Sequence, residues 1–459
     1  MNRYDNLESS IKPLKSGQFT KGTLGTMVTG ILNLFIGIAS SIILARVLGP
    51  EGRGIYALAV LLPSLIVTFG NLGIGPATVY YVARGEFRRE EILGNNILLS
   101  IGIGGAGILT GLVVVRFFRE AIFPGVPPAY LLLSLALVPG EIFFSYVNYM
   151  LLGAQRIKEF NYRQVFQGAL FLGFITLGLL VLKGKVREAI LASILTWVVV
   201  DILVFRLVKR VAGGVSFKPN RSYIKHAVTY GLQAHIANIL GFLNYRVDMF
   251  LVNWFLGPAA VGLYAVGVSL VEKLWMVSQA ASTVLFPRVA AESEEERRRE
   301  FTPLVARTVL WVTALGALVL VLFSRWIVLL LYSEAFLPAV SALQALLVGI
   351  VALSAGRVLA NDIAGRGFPG LSIYTGSVAV LTNVVLNLLW IPRYGIVGAA
   401  WASTASYTVS FLSALFFYCR LSGNRWTSVV LPQRGDWMIY LKTGKALFQW
   451  AWARVRVVL

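Results

Sequence analysis

The sequence predicts an all-α, polytopic membrane protein with about twelve transmembrane helices, arranged as two pseudo-symmetric six-helix lobes around a central cleft. Three observations carry this reading: apolar stretches separated by short charged clusters, basic residues segregated by loop, and an internal repeat.

Apolar residues make up 57% of the 459 residues, charged residues 14%, and the mean hydropathy is +0.74. Soluble domains carry about 25% charged residues. Here the charges cluster between apolar stretches of about 18–25 residues, enough to cross roughly 30 Å of hydrocarbon. Backbone groups in lipid must bond internally, so these stretches read as helices. The period-two alternation of a membrane β-barrel is absent. Spans are expected at 23–45, 56–82, 92–116, 130–152, 163–182, 189–208, 228–253, 260–286, 304–323, 337–358, 371–391 and 396–418. The apolar stretch 325–332 is too short to span and reads as an extension of the ninth helix. Pro63 and the run from Gly70 to Pro76 break the second helix, as a hinge or as a static kink.

The lone Cys419 leaves no internal disulfide and no thiolate metal site, and His226 and His235 are too few for a histidine cluster. No catalytic residue, metal or cofactor is expected. The first 22 residues are polar and basic, and the first apolar stretch is full length, so it reads as a retained signal-anchor.

The net charge is +20. With a cytoplasmic N-terminus, 30 of the 41 Lys and Arg residues fall on cytoplasmic segments and nine on outer ones. That asymmetry makes the charge a matter of topology, not of nucleic-acid binding. It places both termini in the cytoplasm and the chain in the cell (cytoplasmic or inner) membrane. The expected organisation is a cytoplasmic segment 1–22, an N-lobe 23–209 with helices 1–6, a cytoplasmic linker 210–227, a C-lobe 228–419 with helices 7–12, and a tail 420–459. The tail is basic and aromatic and reads as an interfacial helix on anionic lipid, with a thirteenth span as the alternative. The mixed charge run 290–300 reads as a solvated connection.

The halves repeat. Residues 48–60 (LGPEGRGIYALAV) and 256–268 (LGPAAVGLYAVGV) are identical at seven of thirteen positions, at an offset of 208. Both copies join the first and second helices of a half on the outer side. Six helices separate them, so the halves share orientation and form a parallel repeat, the geometry of alternating access.

Residues 44–86 (LARVLGPEGRGIYALAVLLPSLIVTFGNLGIGPATVYYVARGE) resemble the first helical hairpin of Wzx-type polysaccharide flippases, members of the multidrug/oligosaccharidyl-lipid/polysaccharide exporter superfamily. Residues 247–274 (VDMFLVNWFLGPAAVGLYAVGVSLVEKL) resemble the corresponding helix 7–8 hairpin, and 391–404 (IPRYGIVGAAWAST) the turn between helices 11 and 12. The resemblance runs over most of 20–420. It implies a flippase that carries a polyprenyl-diphosphate-linked oligosaccharide from the inner to the outer leaflet, for cell-surface polysaccharide such as O-antigen or exopolysaccharide. It also implies ion-gradient driving, and as partners the lipid-linked glycan, membrane lipids and other polysaccharide-assembly proteins. Multidrug antiporters and lipid II flippases are relatives and stand as alternatives. Twelve helices favour the oligosaccharide branch over the usual fourteen of the lipid II branch.

Ionisable residues inside spans are costly and mark function. Glu141, Asp201, Arg246, Asp248, Glu272 and Lys273 are such residues, with Arg357 and Asp362 near the inner end of helix 10. A diphosphate in a low-dielectric cleft requires cations, for which Arg246, Lys273 and Arg357 are candidates. His235, Asn238 and Arg246 belong to one stripe of helix 7 with Gly231, Phe242, Met249 and Asn253, all within about 80°. Either that stripe is a cavity wall or it packs against other helices, with Arg246 paired to Glu141 or Glu272. Asp248 lies roughly 160° from Arg246, too far round for a local pair. Helix 8 carries Ala265, Ser269, Glu272, Met276, Gln279 and Thr283 on one face, and helix 1 carries Thr26, Thr29, Asn33, Gly37 and Ser40. Asn33 is thereby a sugar or headgroup candidate; Glu272, Asp248 and Glu141 are candidates for a coupling ion. The stripe Ser403, Ser406, Ser410 and Ser413 of helix 12 reads as close packing. A membrane glycosyltransferase or polymerase is disfavoured: there is no large outer loop, no paired-Asp motif and no Walker A sequence.

Overall fold

A computed structural model of the chain describes residues 16–291, 295–433 and 436. Residues 1–15 and the tail from 437, expected to be cytoplasmic and interfacial, lie outside the described residues, as do the side chains of Thr26 and Thr283. Among the described residues there is no strand, and nine helices are long and apolar enough to cross a membrane.

Three of the nine are too long for one crossing: Val28–Gly70 has 43 residues, His235–Ser282 has 48 and Gly370–Ser422 has 53. About 20 residues suffice. Each contains one glycine outside helical geometry: Gly49 (φ 65°, ψ −179°), Gly257 (φ 78°, ψ 178°) and Gly395 (φ 61°, ψ −142°). Each therefore holds two helices, and the described residues form the expected twelve. The helices are α1 (16–48), α2 (50–84), α3 (Arg89–Ile122), α4 (Pro128–Gly153), α5 (Ile157–Val181), α6 (Val186–Ala212), α7 (221–256), α8 (258–291), α9 (Glu295–Leu331), α10 (Ala339–Gly365), α11 (370–394) and α12 (396–422), followed by the short α13 (Trp426–Val430). As expected, 325–331 continues α9.

The repeated Leu-Gly-Pro explains the first two corners. Proline disfavours helical geometry in the residue before it, so Gly49 and Gly257 must leave the helix. The geometry they take is open in practice only to glycine. Proline then opens the next helix at its first turn, where its missing N–H is harmless. α2 therefore starts at 50, six residues earlier than expected. It also runs through Pro63. The break comes at residues 71–73, where Leu72 (φ 51°) and Gly73 (φ 69°) turn the chain before Ile74–Arg84 resumes.

The chain divides into two compact units. Of the described residues, the first takes those up to Phe242, then Met249–Val266 and Val328–Pro338; the second takes Leu243–Asp248, those within Gly267–Ile327 and those from Ala339 onward. The linker 210–227 thus lies inside the first unit. The two repeat copies pack on each other there. A Cβ at Gly54 would stand 1.7 Å from the Pro258 carbonyl oxygen, and one at Gly262 would stand 1.8 Å from that of Pro50. The contact is reciprocal, and it draws the start of α8 into the first unit. Arg46 adds hydrogen bonds to the Leu330 and Leu331 carbonyls, and Tyr332 donates to Ser41 Oγ at 3.2 Å, so the end of α9 joins the first unit as well.

In the second unit, α10 packs tightly on α12, with Gly349 against Thr404 and Gly356 against Phe411. An apolar core unites Leu285, Val309, Val358, Leu415 and Val429. The segment after α12 is stapled to α9. Arg307 Nε and Nη2 donate to the two Asp436 oxygens at 2.5 Å each, Arg307 Nη1 to the Ser428 carbonyl at 2.9 Å, and Trp311 Nε1 to the Val430 carbonyl at 3.0 Å. The guanidinium holds the Asp436 carboxyl below its usual range.

Candidate functional site

The second unit gathers charge and aromatic rings around Tyr245. Tyr245 and Arg246 come from the α7 turn that belongs to this unit, Glu272 and Trp275 from α8, Arg357 from α10 and Tyr407 from α12. The helix tightens to a 3₁₀ turn over Glu272–Leu274. Arg246 Nη1 donates to Glu272 Oε1 at 2.7 Å, with 29% and 22% of the two side chains exposed. The Arg357 guanidinium lies 4.1 Å from the Trp275 ring centroid and 5.2 Å from that of Tyr245. The Tyr245 and Trp275 rings are 5.0 Å apart, those of Tyr245 and Tyr407 5.9 Å. Arg357 and Lys273 are half-buried, and neither makes an ion pair among the described residues. A cation held on ring faces keeps its charge and its N–H donors available.

Asp248 accepts from Ser403 Oγ at 2.9 Å. Ser406 Oγ lies 2.5 Å from Asn244 Oδ1 and 2.7 Å from the Ala379 carbonyl. These serines tie α12 to α7 and α11 by hydrogen bonds. Asp362 accepts from Thr302 Oγ1 at 2.5 Å and pairs with Arg366, a buried structural node.

The first unit holds a cavity of about 580 Å³, lined by Asn33, Tyr56, Glu141, Arg163, Gln167, Trp197 and neighbours on α1, α2, α4, α5 and α6. Arg163 is 4% exposed, stands 4.4 Å over the Phe144 ring and donates to Gln167 Oε1 at 2.8 Å. Its Nε has no hydrogen-bond partner. Glu141 makes no ion pair among the described residues, and Asp201, within electrostatic reach of it, has an unpartnered Oδ1.

The helix 7 stripe divides between the units. In the first, the His235 ring lies 3.1 Å from the Phe69 carbonyl, Asn253 Nδ2 donates to the Pro124 carbonyl at 3.1 Å, and Met249 is buried. Asn238, on the same stripe, is exposed. Only Arg246 joins the second unit's cluster. The structure thus brings Arg246, Glu272 and Arg357 together and sets Asn33 with Glu141, in separate units. Sequence reasoning missed Arg163, which it counted with the cytoplasmic loop. The signal was present: Arg163, Gln167 and Phe171 follow a four-residue spacing along one face of α5. It also missed Trp275 and Tyr245 as cation platforms.

Comparison with known proteins adds a family and a fold. The family described as polysaccharide biosynthesis protein matches residues 19–291, and the MatE family matches 234–389. The chain is similar to the probable low-salt glycan biosynthesis flippase Agl15 of Haloferax volcanii, 23% identical over 410 residues, covering 86% of this chain and 84% of that protein. Among solved structures it is similar to the lipid II flippase MurJ in an inward closed conformation, with a TM-score of 0.71 at 14% identity, covering 92% of this chain and 93% of that one. It is also similar to an inward-facing multidrug resistance MATE family transporter of the MOP superfamily, with a TM-score of 0.69 at 15% identity, covering 87% and 98%. These likenesses to solved structures show a shared fold.

Proposed function

Because the chain belongs to the polysaccharide biosynthesis protein family, we propose that it is a flippase, not an enzyme, that moves a polyprenyl-diphosphate-linked oligosaccharide from the cytoplasmic to the outer leaflet. The relative named as a glycan biosynthesis flippase supports this reading over most of both chains. The observation that carries it is Arg357, held on Trp275 and Tyr245 with no carboxylate partner among the described residues. An anion is the ligand such a cation takes, and a diphosphate offers oxygens for a planar guanidinium and for the point charge of Lys273.

Arg246 is held by Glu272, so its part in this reading is conditional. A proton or sodium ion taken up at Glu272 releases Arg246 toward the headgroup, which links an ion gradient to substrate binding. Transport by alternating access, both termini in the cytoplasm, a cell-membrane location and cooperation with other polysaccharide-assembly proteins complete the proposal, supported by the basic-residue asymmetry and the fold.

The test is a reconstituted flipping assay with a polyprenyl-diphosphate oligosaccharide. Arg357→Ala and Lys273→Ala should each slow flipping by about tenfold, the loss of about 1.4 kcal/mol of headgroup interaction, at wild-type abundance in the vesicles. Flipping unchanged in both removes the headgroup assignment. Glu272→Gln should flip without responding to an imposed ion gradient; a full response in that variant removes the coupling role.

A further inference from the structure

The cavity of the first unit takes no part in the headgroup reading. Its volume, about 580 Å³, falls in the range of small-molecule sites, roughly 300–1,000 Å³. What distinguishes it is the mixture on its walls. Arg163 presents an Nε donor without a partner, although the residue is 4% exposed. Glu141 presents carboxylate oxygens without an ion pair among the described residues. The carboxamides of Asn33 and Gln167 offer both donors and acceptors, and Trp197 and Phe171 supply ring surface.

Donors and acceptors gathered around one cavity select their ligand by chemistry. A simple anion at Arg163 leaves the Glu141 carboxyl and the carboxamides unanswered, and a simple cation meets the Arg163 guanidinium. An apolar guest strips these groups of water and gives them no partner in return. A body that donates and accepts from neighbouring positions, and also carries an apolar C–H face for the rings, satisfies all of them. That body is a sugar ring. We propose that this cavity is a carbohydrate subsite that receives a hydroxyl-rich pyranose of the transported glycan. The source of the sugar rests on the flippase reading; the subsite itself is tested without it.

The probes are the methyl glycosides of glucose, galactose, mannose and N-acetylglucosamine. Each is presented at about 10 mM, enough to populate a site of millimolar Kd, to the full chain in a sugar-free zwitterionic detergent. The readout is saturation transfer from protein to glycoside in NMR. At least one glycoside should show transfer, and a second glycoside should displace it. The signal should fall at least about fivefold in Gln167→Ala, which removes a wall carboxamide, and in Ser64→Leu, which fills cavity volume; a fivefold fall corresponds to about 1 kcal/mol. It should persist in Arg357→Ala, a change in the other unit. Absence of transfer to all four glycosides in the wild-type protein overturns the proposal, as does a signal unchanged in both cavity variants. Displacement in the wild-type protein keeps the result decisive where a variant misfolds. Flipping is measured in parallel. Flipping without glycoside binding ends the subsite alone, and glycoside binding without flipping ends the flippase reading alone.

Discussion

The Arg246–Glu272 pair gives the sharpest test of how the second unit holds its charges. Two charges about 4 Å apart attract by about 4 kcal/mol at an effective dielectric of about 20. Here 29% and 22% of the side chains are exposed, so solvent screening and desolvation together bring the net value to about 1–2 kcal/mol. Arg246→Gln leaves a part-buried Glu272 carboxylate without its cation, and Glu272→Gln leaves the converse. At roughly 2–4 °C per kcal/mol for folding units of 150–250 residues, each single variant should melt about 2–8 °C lower, read by tryptophan fluorescence in detergent. The double variant replaces the pair by two neutral amides that can bond each other. It should recover more than half of the summed loss, a coupling of at least about 1 kcal/mol. Losses that simply add, within about 0.3 kcal/mol, would refute the claim that the two side chains answer each other.

Gly54→Ala should destabilise the protein by at least about 3 kcal/mol, because its Cβ would stand 1.7 Å from the Pro258 oxygen and two backbones would have to part. Gly262→Ala meets Pro50 at 1.8 Å in the mirror contact; melting of the double variant should show less than the sum, since either change opens the same seam. Asp436→Asn tests the staple on α9 through pH. The Asp436 carboxyl is depressed in the folded chain, so its contribution is complete above the unfolded value of about 3.9 and disappears as pH falls through the lower folded value. The melting difference between wild type and variant should be constant from pH 8 to about 5 and shrink as pH falls below about 4; a difference that does not shrink between pH 5 and pH 2.5 would contradict the ion pair.

How much of this was legible depends on which interactions are local. The Leu-Gly-Pro corners were readable because proline constrains its own predecessor, and the duplication followed from identical residues at a fixed offset. The start of α2 was misplaced because a membrane corner can consist of one glycine, with no polar loop to mark it. The helix 7 stripe was right as periodicity, yet a helical face says nothing about which body it faces, and α7 serves two. Glu272 as the partner of Arg246 was one of two options, since only packing chooses between carboxylates on different helices. Arg163 was hidden by its position beside Arg156 and Lys158, where counting basic residues assigns it to water.

Charges in the spans sort by what answers them. Each costs about 2.5–3.5 kcal/mol on insertion scales, so each must be paired, tied into packing or held for a ligand. Glu272 answers Arg246, Ser403 reaches Asp248, and Thr302 and Arg366 reach Asp362. Among the described residues, those left without an ion pair include Arg357 and Lys273 in the second unit, and Arg53, Glu141, Asp201 and Arg163 in the first. The second unit's remainder is cationic and backed by rings, which suits a diphosphate. The first unit's remainder sets a guanidinium among carboxyl and carboxamide groups, which suits a neutral polyol. A drug-cation antiporter would need the opposite of the first arrangement and gains nothing from Arg357.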